Sequence, residues 1–256
     1  MLIASLDTST LTLSCALCEI ADGEVRLITE RTERAPAKPA GGKTGGHGER
    51  LPAALSDLLV AVGRKLPDVE GYAVGLGPGS FTGLRIGLAT WKGLAYANRR
   101  PIAGASSLAA MALAAAADAR EDAVLVPLLD AKKGEVYAGF YRSRGRVVEA
   151  VAPEAALAPA ALAARVAALE AGGGNPAAFG EGLAAHREGL AGIPALATGV
   201  ETPLALSVAR LCAAELERAE YEPAKLFALE PHYVRASEAE IKFPHGLGAW
   251  ALRPRS

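Results

Sequence analysis

Residues 77–85 read Gly-Pro-Gly-Ser-Phe-Thr-Gly-Leu-Arg, and this stretch decides the fold. It stands between an apolar run at 72–76 and a long segment of small and apolar residues at 86–97. Three glycines and a proline within seven residues do not suit a strand or a helix interior, so the stretch predicts a tight turn from a strand into a helix. Ser80 is a favourable N-cap for that helix, whose free backbone N–H groups suit an anion or the close approach of another backbone.

The composition narrows the class of protein. The chain has 256 residues, of which 51% are hydrophobic, and a net charge of −1. Its length suggests one large or two modest domains. Because there is no overall basic field to capture nucleic acid, a role with RNA would need a partner that supplies positive surface. The N-terminus lacks a signal-peptide pattern and the longest apolar run, 108–117, is too short for a membrane span, so we expect a cytoplasmic protein with no membrane partner.

Cysteine and histidine spacing gives no metal site. Cys15 and Cys18 have C-x-x-C spacing, but the run 11–20 alternates as a strand, which places positions three apart on opposite faces. We therefore predict a buried structural role for both cysteines. No two of the four histidines have the spacing of a helical metal site, and we predict no bound metal.

The predicted elements occur in two similar rounds. In the first, three strands form an antiparallel meander, and helices then alternate with two further strands. The second round is weaker, with three strands, a helix and a short strand. Strands are expected at 2–7, 12–20, 24–31, 72–76, 101–105, 123–129, 136–141, 147–151 and 177–179, and helices at about 51–62, 86–97, 107–119, 159–170 and 202–219.

This repeat of a β-meander followed by βα units predicts an α/β protein with the actin-like ATPase (ASKHA) fold. Such a fold has two lobes around a cleft, each with a mixed sheet flanked by helices. We expect the N-terminal lobe at 1–104, the C-terminal lobe at 105–201 and an irregular tail at 220–256. The final helix, at about 202–219, is expected to pack back on the first lobe.

The end of the first strand carries Asp7, Thr8 and Ser9. In the actin-like fold the first hairpin turn presents an acid and small hydroxyl residues to nucleotide phosphates. An Asx or ST turn that stabilises the hairpin accounts for the same residues, so both interpretations stay open. A vestigial phosphate-facing set would comprise Asp7, Thr8, Ser9, Gly79, Ser80 and Arg85.

The second predicted helix contains Gly83, Gly87 and Gly93. Glycine costs about 1 kcal/mol relative to alanine at each interior helix position, so three of them need a reason. Close packing against the protein's own sheet is one reason, and a docking face for a second protein is the other. The sequence leaves both open.

Several segments together resemble the bacterial TsaB (YeaZ) family. They occur in family order across nearly the whole chain, and the GPGSFTG block is highly specific. The matching segments are residues 6–9 (LDTS), 47–52 (HGERLP), 74–87 (VGLGPGSFTGLRIG), 105–108 (ASSL), 130–137 (DAKKGEVY) and 231–235 (PHYVR).

The resemblance implies a part in making N6-threonylcarbamoyladenosine at position 37 of tRNAs that read ANN codons. In that family TsaB is not the transferase: it pairs with its catalytic paralogue TsaD, and the ATPase TsaE joins them. We accordingly expect a non-catalytic subunit that forms a homodimer when alone and contacts tRNA mainly through the complex. No intrinsic cofactor is expected, and ATP or ADP at the interface of the complex stays open.

The catalytic paralogues carry two histidines four residues apart, placed to bind a metal, after the strand that follows the second helix. In this chain the matching positions are Ser106 and Ala110, and neither side chain can make an imidazole site. The resemblance therefore implies no catalytic residues here and no intrinsic enzyme activity.

The family docks through the two helices of its N-terminal lobe. The first predicted helix offers a leucine stripe and the second a glycine-lined surface, which suits close helix packing. The residues expected to include the docking contacts are Leu51, Leu55, Leu58, Leu59, Gly83, Leu84, Gly87, Leu88 and Trp91.

An active small-molecule kinase or ATPase of the actin-like class is the alternative. It would need an adenosine pocket in the second lobe, for which the glycine clusters at 172–174 and 180–182 are the available loops. Titration with ATP and a turnover assay distinguish the two functions.

Overall fold

The computed structural model describes residues 1–34, 46–144 and 147–235. The first of its two sheets has five strands in the order β3-β2-β1-β4-β5, where β1, β2 and β3 are antiparallel and β4 and β5 continue parallel to β1. These strands are β1 (Leu2–Asp7), β2 (Thr12–Ala21), β3 (Glu24–Arg34), β4 (Gly71–Gly75) and β5 (Ile102–Ala105).

The second sheet repeats the same plan with one strand fewer. Its order is β8-β7-β6-β9, with an antiparallel meander and β9 parallel to β6. Its strands are β6 (Ala123–Lys132), β7 (Glu135–Arg144), β8 (Val147–Leu157) and β9 (Asn175–Phe179). The predicted fold class, two mixed sheets that are each built from a meander and βα units, is confirmed.

Helices cover both faces of the first sheet. On one face α1 and α2 pack over a cluster that includes Leu17 and Trp91, and on the other α6 and α3 pack over a cluster that includes Ile3 and Val208. None of the helices within the described residues is long and apolar enough to span a membrane. The helices are α1 (His47–Ala61), α2 (Phe81–Asn98), α3 (Ser107–Ala115), α4 (Pro159–Ala171), α5 (Glu181–Ala185), α6 (Ala205–Leu216) and α7 (Pro223–Ala228).

Cys15 and Cys18 lie in the two different clusters, on opposite faces of the first sheet. Both are free thiols, and burial raises the pKa of each to about 12. The predicted structural role is therefore confirmed, because a thiol with such a pKa is inert near neutral pH.

Two elements differ from the sequence prediction for tertiary reasons. The strand expected to end at 151 continues as β8 to Leu157, past Pro153. β8 lies at the edge of its sheet, and Ala152 pairs with Phe140 whereas Ala155 pairs with Ala138, so Pro153 and its neighbour stand opposite one β7 residue in a β-bulge. Edge strands and bulges tolerate proline because no ladder hydrogen bond is lost there.

The final helix begins at Ala205 instead of about 202. Its first N–H group donates to the hydroxyl of Ser14 on β2 over 2.9 Å, so a distant strand caps this helix. The tail, expected to be irregular, contains α7, whose Leu226 is buried in the same apolar cluster as Leu17 and Trp91.

The start of α2 presses against the turn between β1 and β2. A Cβ atom on Gly83 would lie 2.2 Å from the carbonyl oxygen of Thr8, and one on Gly87 would lie 2.2 Å from the Thr8 Oγ1. The Thr8 hydroxyl also donates to the Gly83 carbonyl over 2.9 Å. Gly93 is different, because it is exposed and a Cβ there would meet nothing within 4 Å.

His47 ties the start of α1 to the same turn. Its Nε2 donates to the Thr10 carbonyl over 2.7 Å, and its Nδ1 accepts from the Arg50 guanidinium over 3.2 Å. Burial lowers the pKa of His47, with Arg50 adding to that effect, so the ring is neutral at pH 7.

We predict opposite effects for two alanine substitutions on α2. Gly87→Ala should lower the free energy of unfolding by about 1–3 kcal/mol, because the methyl group collides with Thr8. Gly93→Ala should raise it by up to about 1 kcal/mol, because helix propensity improves without a clash. Urea denaturation of both variants measures this, and a Gly87→Ala protein as stable as the parent would contradict the packing argument.

We also predict that His47 makes stability fall in mild acid. Because its pKa is lower in the folded state than the unfolded value of about 6.5, the unfolded chain binds more protons below that pH. The free energy of unfolding should therefore decrease as the pH drops from 7 to 5, and by less in His47→Asn, which lacks this titration. Urea denaturation at the two pH values tests this; equal decreases in both proteins would refute it.

Candidate functional site

The carboxylate of Asp7 sits where β1, the glycine turn and the start of α3 meet. Its Oδ1 accepts from the Ser9 backbone N–H and hydroxyl, over 2.8 and 2.6 Å, and its Oδ2 accepts from the Ser107 hydroxyl over 2.6 Å. Burial raises the pKa of Asp7, and these hydrogen bonds oppose the rise. Both oxygens are thus engaged inside the protein, and the bond from the Ser9 N–H group is that of an Asx turn.

The six predicted phosphate-facing residues separate into three groups. Ser9, Gly79 and Ser80 line a cleft of about 580 Å³ between the two sheets. Asp7 and Thr8 are buried beneath it. Arg85 points elsewhere: its Nε donates to the Tyr233 hydroxyl over 3.0 Å, and its guanidinium stacks 3.8 Å from the centre of the Phe81 ring.

The acidic and basic side chains that line this cleft are equal in number. Its lining includes three acids and three bases, namely Asp130, Glu181, Glu201, Arg34, Lys132 and Arg235. Asp130 accepts from Lys132 over 2.6 Å and lies 3.3 Å from His186. Although burial opposes the shift, these partners hold the pKa of Asp130 below its usual value. A polyphosphate would find little net attraction here.

The two positions that match the paralogue's histidines have structural roles. Ser106 is the N-cap of α3, and its Oγ accepts from the Ala109 N–H over 3.1 Å. Ala110 is fully buried against α6. Across the described parts of the chain, no three histidine, cysteine, aspartate or glutamate side chains are grouped to hold a metal ion.

The predicted docking residues are all buried within the chain. Three of them, Leu51, Leu55 and Leu59, also line an open groove, and the docking role of the set stays a prediction. Trp91 donates its Nε1–H to the Ala4 carbonyl over 3.1 Å, and Gly83 and Gly87 face Thr8. The apolar stripe of each helix packs on the first sheet, since a sheet face must be covered. The buried set is Leu51, Leu55, Leu58, Leu59, Gly83, Leu84, Gly87, Leu88 and Trp91.

A surface that a partner can reach lies beside this stripe. Leu51, Leu55 and Leu59 form one side of an apolar groove of about 460 Å³ between α1 and α2, which Thr90 and Leu94 also line. We use the name α1–α2 ridge for five exposed residues at this groove. Pro52, Ser56 and Val60 of α1 line it, and Ala89 and Gly93 of α2 precede its lining residues Thr90 and Leu94 in the sequence. In the sequence, this surface was indicated by Gly93, because no packing contact within the chain requires a glycine there.

Comparison with known proteins shows which family this chain resembles in sequence. A family model described as "TsaD: tRNA N6-adenosine threonylcarbamoyltransferase" matches residues 43–243. The chain is 35% identical over 160 residues to the tRNA threonylcarbamoyladenosine biosynthesis protein TsaB of Escherichia coli, covering 62% of this chain and 63% of that protein. It is 32% identical over 155 residues to TsaB of Bacillus subtilis, covering 60% and 61%. The chain thus spans about three fifths of the length of these curated relatives.

A solved structure agrees over a longer stretch. YeaZ from Pseudomonas aeruginosa superposes with a TM-score of 0.71 at 27% identity, over 91% of this chain and 99% of that one. The family model carries the name of the paralogue TsaD, whereas the curated relatives and the solved structure carry the names TsaB and YeaZ. The chain belongs to the TsaB (YeaZ) family.

Proposed function

We propose that this protein is the non-catalytic subunit that supports formation of N6-threonylcarbamoyladenosine at position 37 of ANN-decoding tRNAs. It would act by pairing with the catalytic paralogue TsaD, with the ATPase TsaE as a further partner. The observation that carries the proposal is that Ser106 and Ala110 cannot form an imidazole metal site, together with an accessible α1–α2 ridge.

The absence of an intrinsic catalytic role is inferred from what the residues at those two positions do. The Ser106 hydroxyl is committed to capping α3, and the Ala110 methyl group is part of an apolar cluster. Neither side chain can supply the imidazole ligand that the catalytic paralogues place at these positions.

The α1–α2 ridge supports the pairing. Its central residues are small, so the backbone of another helix can approach α2 closely, and Val60, which is 74% exposed, supplies apolar area beside it. The open groove behind the ridge is lined mainly by apolar side chains. We propose that TsaD covers this surface and that a second copy covers it when TsaD is absent.

Nucleotide is proposed only at the interface of the complex. The balanced charges of the cleft do not favour a triphosphate in the isolated chain, and Asp7 is engaged by Ser9 and Ser107. An ATP or ADP molecule would therefore rely on groups from TsaD, and tRNA would be contacted mainly through the complex.

We predict that Gly93→Trp abolishes binding to TsaD and leaves the isolated fold intact, because the indole projects from an open helix position. Ala164→Trp, at an exposed position of α4 on the second lobe, is the matched control and should bind normally. Calorimetric titration with TsaD measures both. Normal binding by Gly93→Trp would remove the α1–α2 ridge from the interface.

We further predict that the isolated chain neither hydrolyses ATP steadily nor forms threonylcarbamoyladenosine on tRNA. Adding it to TsaD and TsaE should increase product formation, because it completes the complex. A reconstituted tRNA assay with each protein omitted in turn provides the test. Micromolar ATP binding with steady hydrolysis by the isolated chain would favour the actin-fold kinase instead.

A further inference from the structure

A second site surrounds Glu154, away from both the cleft and the α1–α2 ridge. Glu154 lies in the β-bulge of β8, opposite Gly139 of β7. A bulge redirects the side chain it carries, and here it places the carboxylate in the wall of an open groove of about 840 Å³. The groove is bounded by β5, β8 and the segment that contains His232 and Val234.

The two carboxylate oxygens of Glu154 are in different situations. Oε1 accepts from the hydroxyls of Ser106 and Tyr141. The Ser106 hydroxyl also accepts from the Ala109 N–H, so its own hydrogen is directed to Glu154. Burial and the nearby Glu154 charge raise the pKa of Tyr141, which keeps the phenol protonated as a donor. One oxygen is therefore fully held by two neutral groups.

Oε2 is buried and has no hydrogen-bond partner in the described structure. The Glu154 side chain as a whole is only 9% exposed. Nε2 of His232 lies 3.4 Å from Oε2, within ion-pair distance but without a hydrogen bond, and the His232 side chain is 53% exposed. A buried carboxylate oxygen without a partner is costly, so this position is built for a donor that is not yet present.

The remaining lining indicates the kind of donor. Leu76, Ala105, Ala152 and Val234 give the groove apolar walls beside the single acid. An arginine or lysine side chain matches an acid beside apolar walls. Its guanidinium or ammonium group can donate to Oε2 while its methylene chain lies on the apolar walls. Because the groove is open, it would leave a free small molecule largely in solvent, whereas it suits a side chain presented by a second protein.

We propose that the Glu154 groove binds an arginine or lysine side chain of a partner protein, with Oε2 as the acceptor and His232 as the side chain that must move aside. Glu154 thereby marks a second interaction surface of this chain, built from residues other than those of the ridge. The proposal does not rest on the proposed function, because it concerns different residues and can be tested without TsaD or tRNA.

The test uses acetylated arginine amide as the probe and its neutral isostere, acetylated citrulline amide, as the ligand control. Binding to the full chain is followed by NMR chemical shifts. The arginine probe should bind with shifts at the groove residues, and the citrulline probe should bind at least about tenfold more weakly, because it lacks the charge. Equal binding of the two probes, or no binding of either, would overturn the proposal.

Two variants of the protein should respond in opposite directions. Glu154→Gln should weaken arginine binding about tenfold or more, whereas Glu149→Gln, an exposed change on the same strand, should not alter it. His232→Ala should strengthen binding, since it uncovers Oε2. Thermal melting of each variant checks that it is folded.

If Glu154 and His232 form only a structural pair, both variants lose stability and neither changes probe affinity, which would overturn the proposal. Loss of probe binding in His232→Ala would also overturn it, because the histidine would then be part of the site. A third comparison uses free arginine. If it binds as tightly as acetylated arginine amide, the groove is a small-molecule site, and the assignment to a partner protein would be wrong.

Discussion

The structure depends on the point where three chain segments meet without room for a side chain. The turn after β1, the glycine turn before α2 and the start of α3 converge on the Asp7 carboxylate and Thr8. A Cβ atom on Gly79 would lie 2.3 Å from the Ser9 carbonyl oxygen, and one on Gly75 would lie 1.9 Å from Asp7 Oδ2. Overlaps of this size cannot be relieved by small shifts, so the glycines are required by the packing.

This junction also determines which surfaces are left for function. Asp7 and Thr8 are buried where they join the segments. Of the predicted phosphate-facing residues, Ser9, Gly79 and Ser80 are therefore the ones that line the cleft. Because one side of α2 is pressed on Thr8, its opposite side is presented to solvent with Gly93 in the middle. The engagement of Asp7 and Thr8 within the protein and the exposure of the α2 face that we propose for docking therefore have one structural origin.

The described C-terminal segment joins the lobes at the same junction. The backbone N–H of His232 donates to the Leu76 carbonyl over 2.7 Å in the first lobe. Two residues on, Val234 packs into the apolar cluster of the second lobe, and Arg235 pairs with Glu135 of β7 over 3.0 Å. The segment thus lies across the glycine turn, and His232 lies over Glu154. The Glu154 groove is therefore lined by residues that are far apart in the sequence.

The sequence by itself determined the fold class, the two rounds of strands and helices, and the burial of Cys15 and Cys18, because periodicity, turn chemistry and alternation are local properties of the chain. It also singled out the glycines of α2. Only the tertiary structure decided that Gly83 and Gly87 face Thr8 while Gly93 faces solvent, that Ser14 caps α6, and that a bulge turns Glu154 toward Ser106. Each of these depends on which distant segment lies opposite, and no local pattern contains that information.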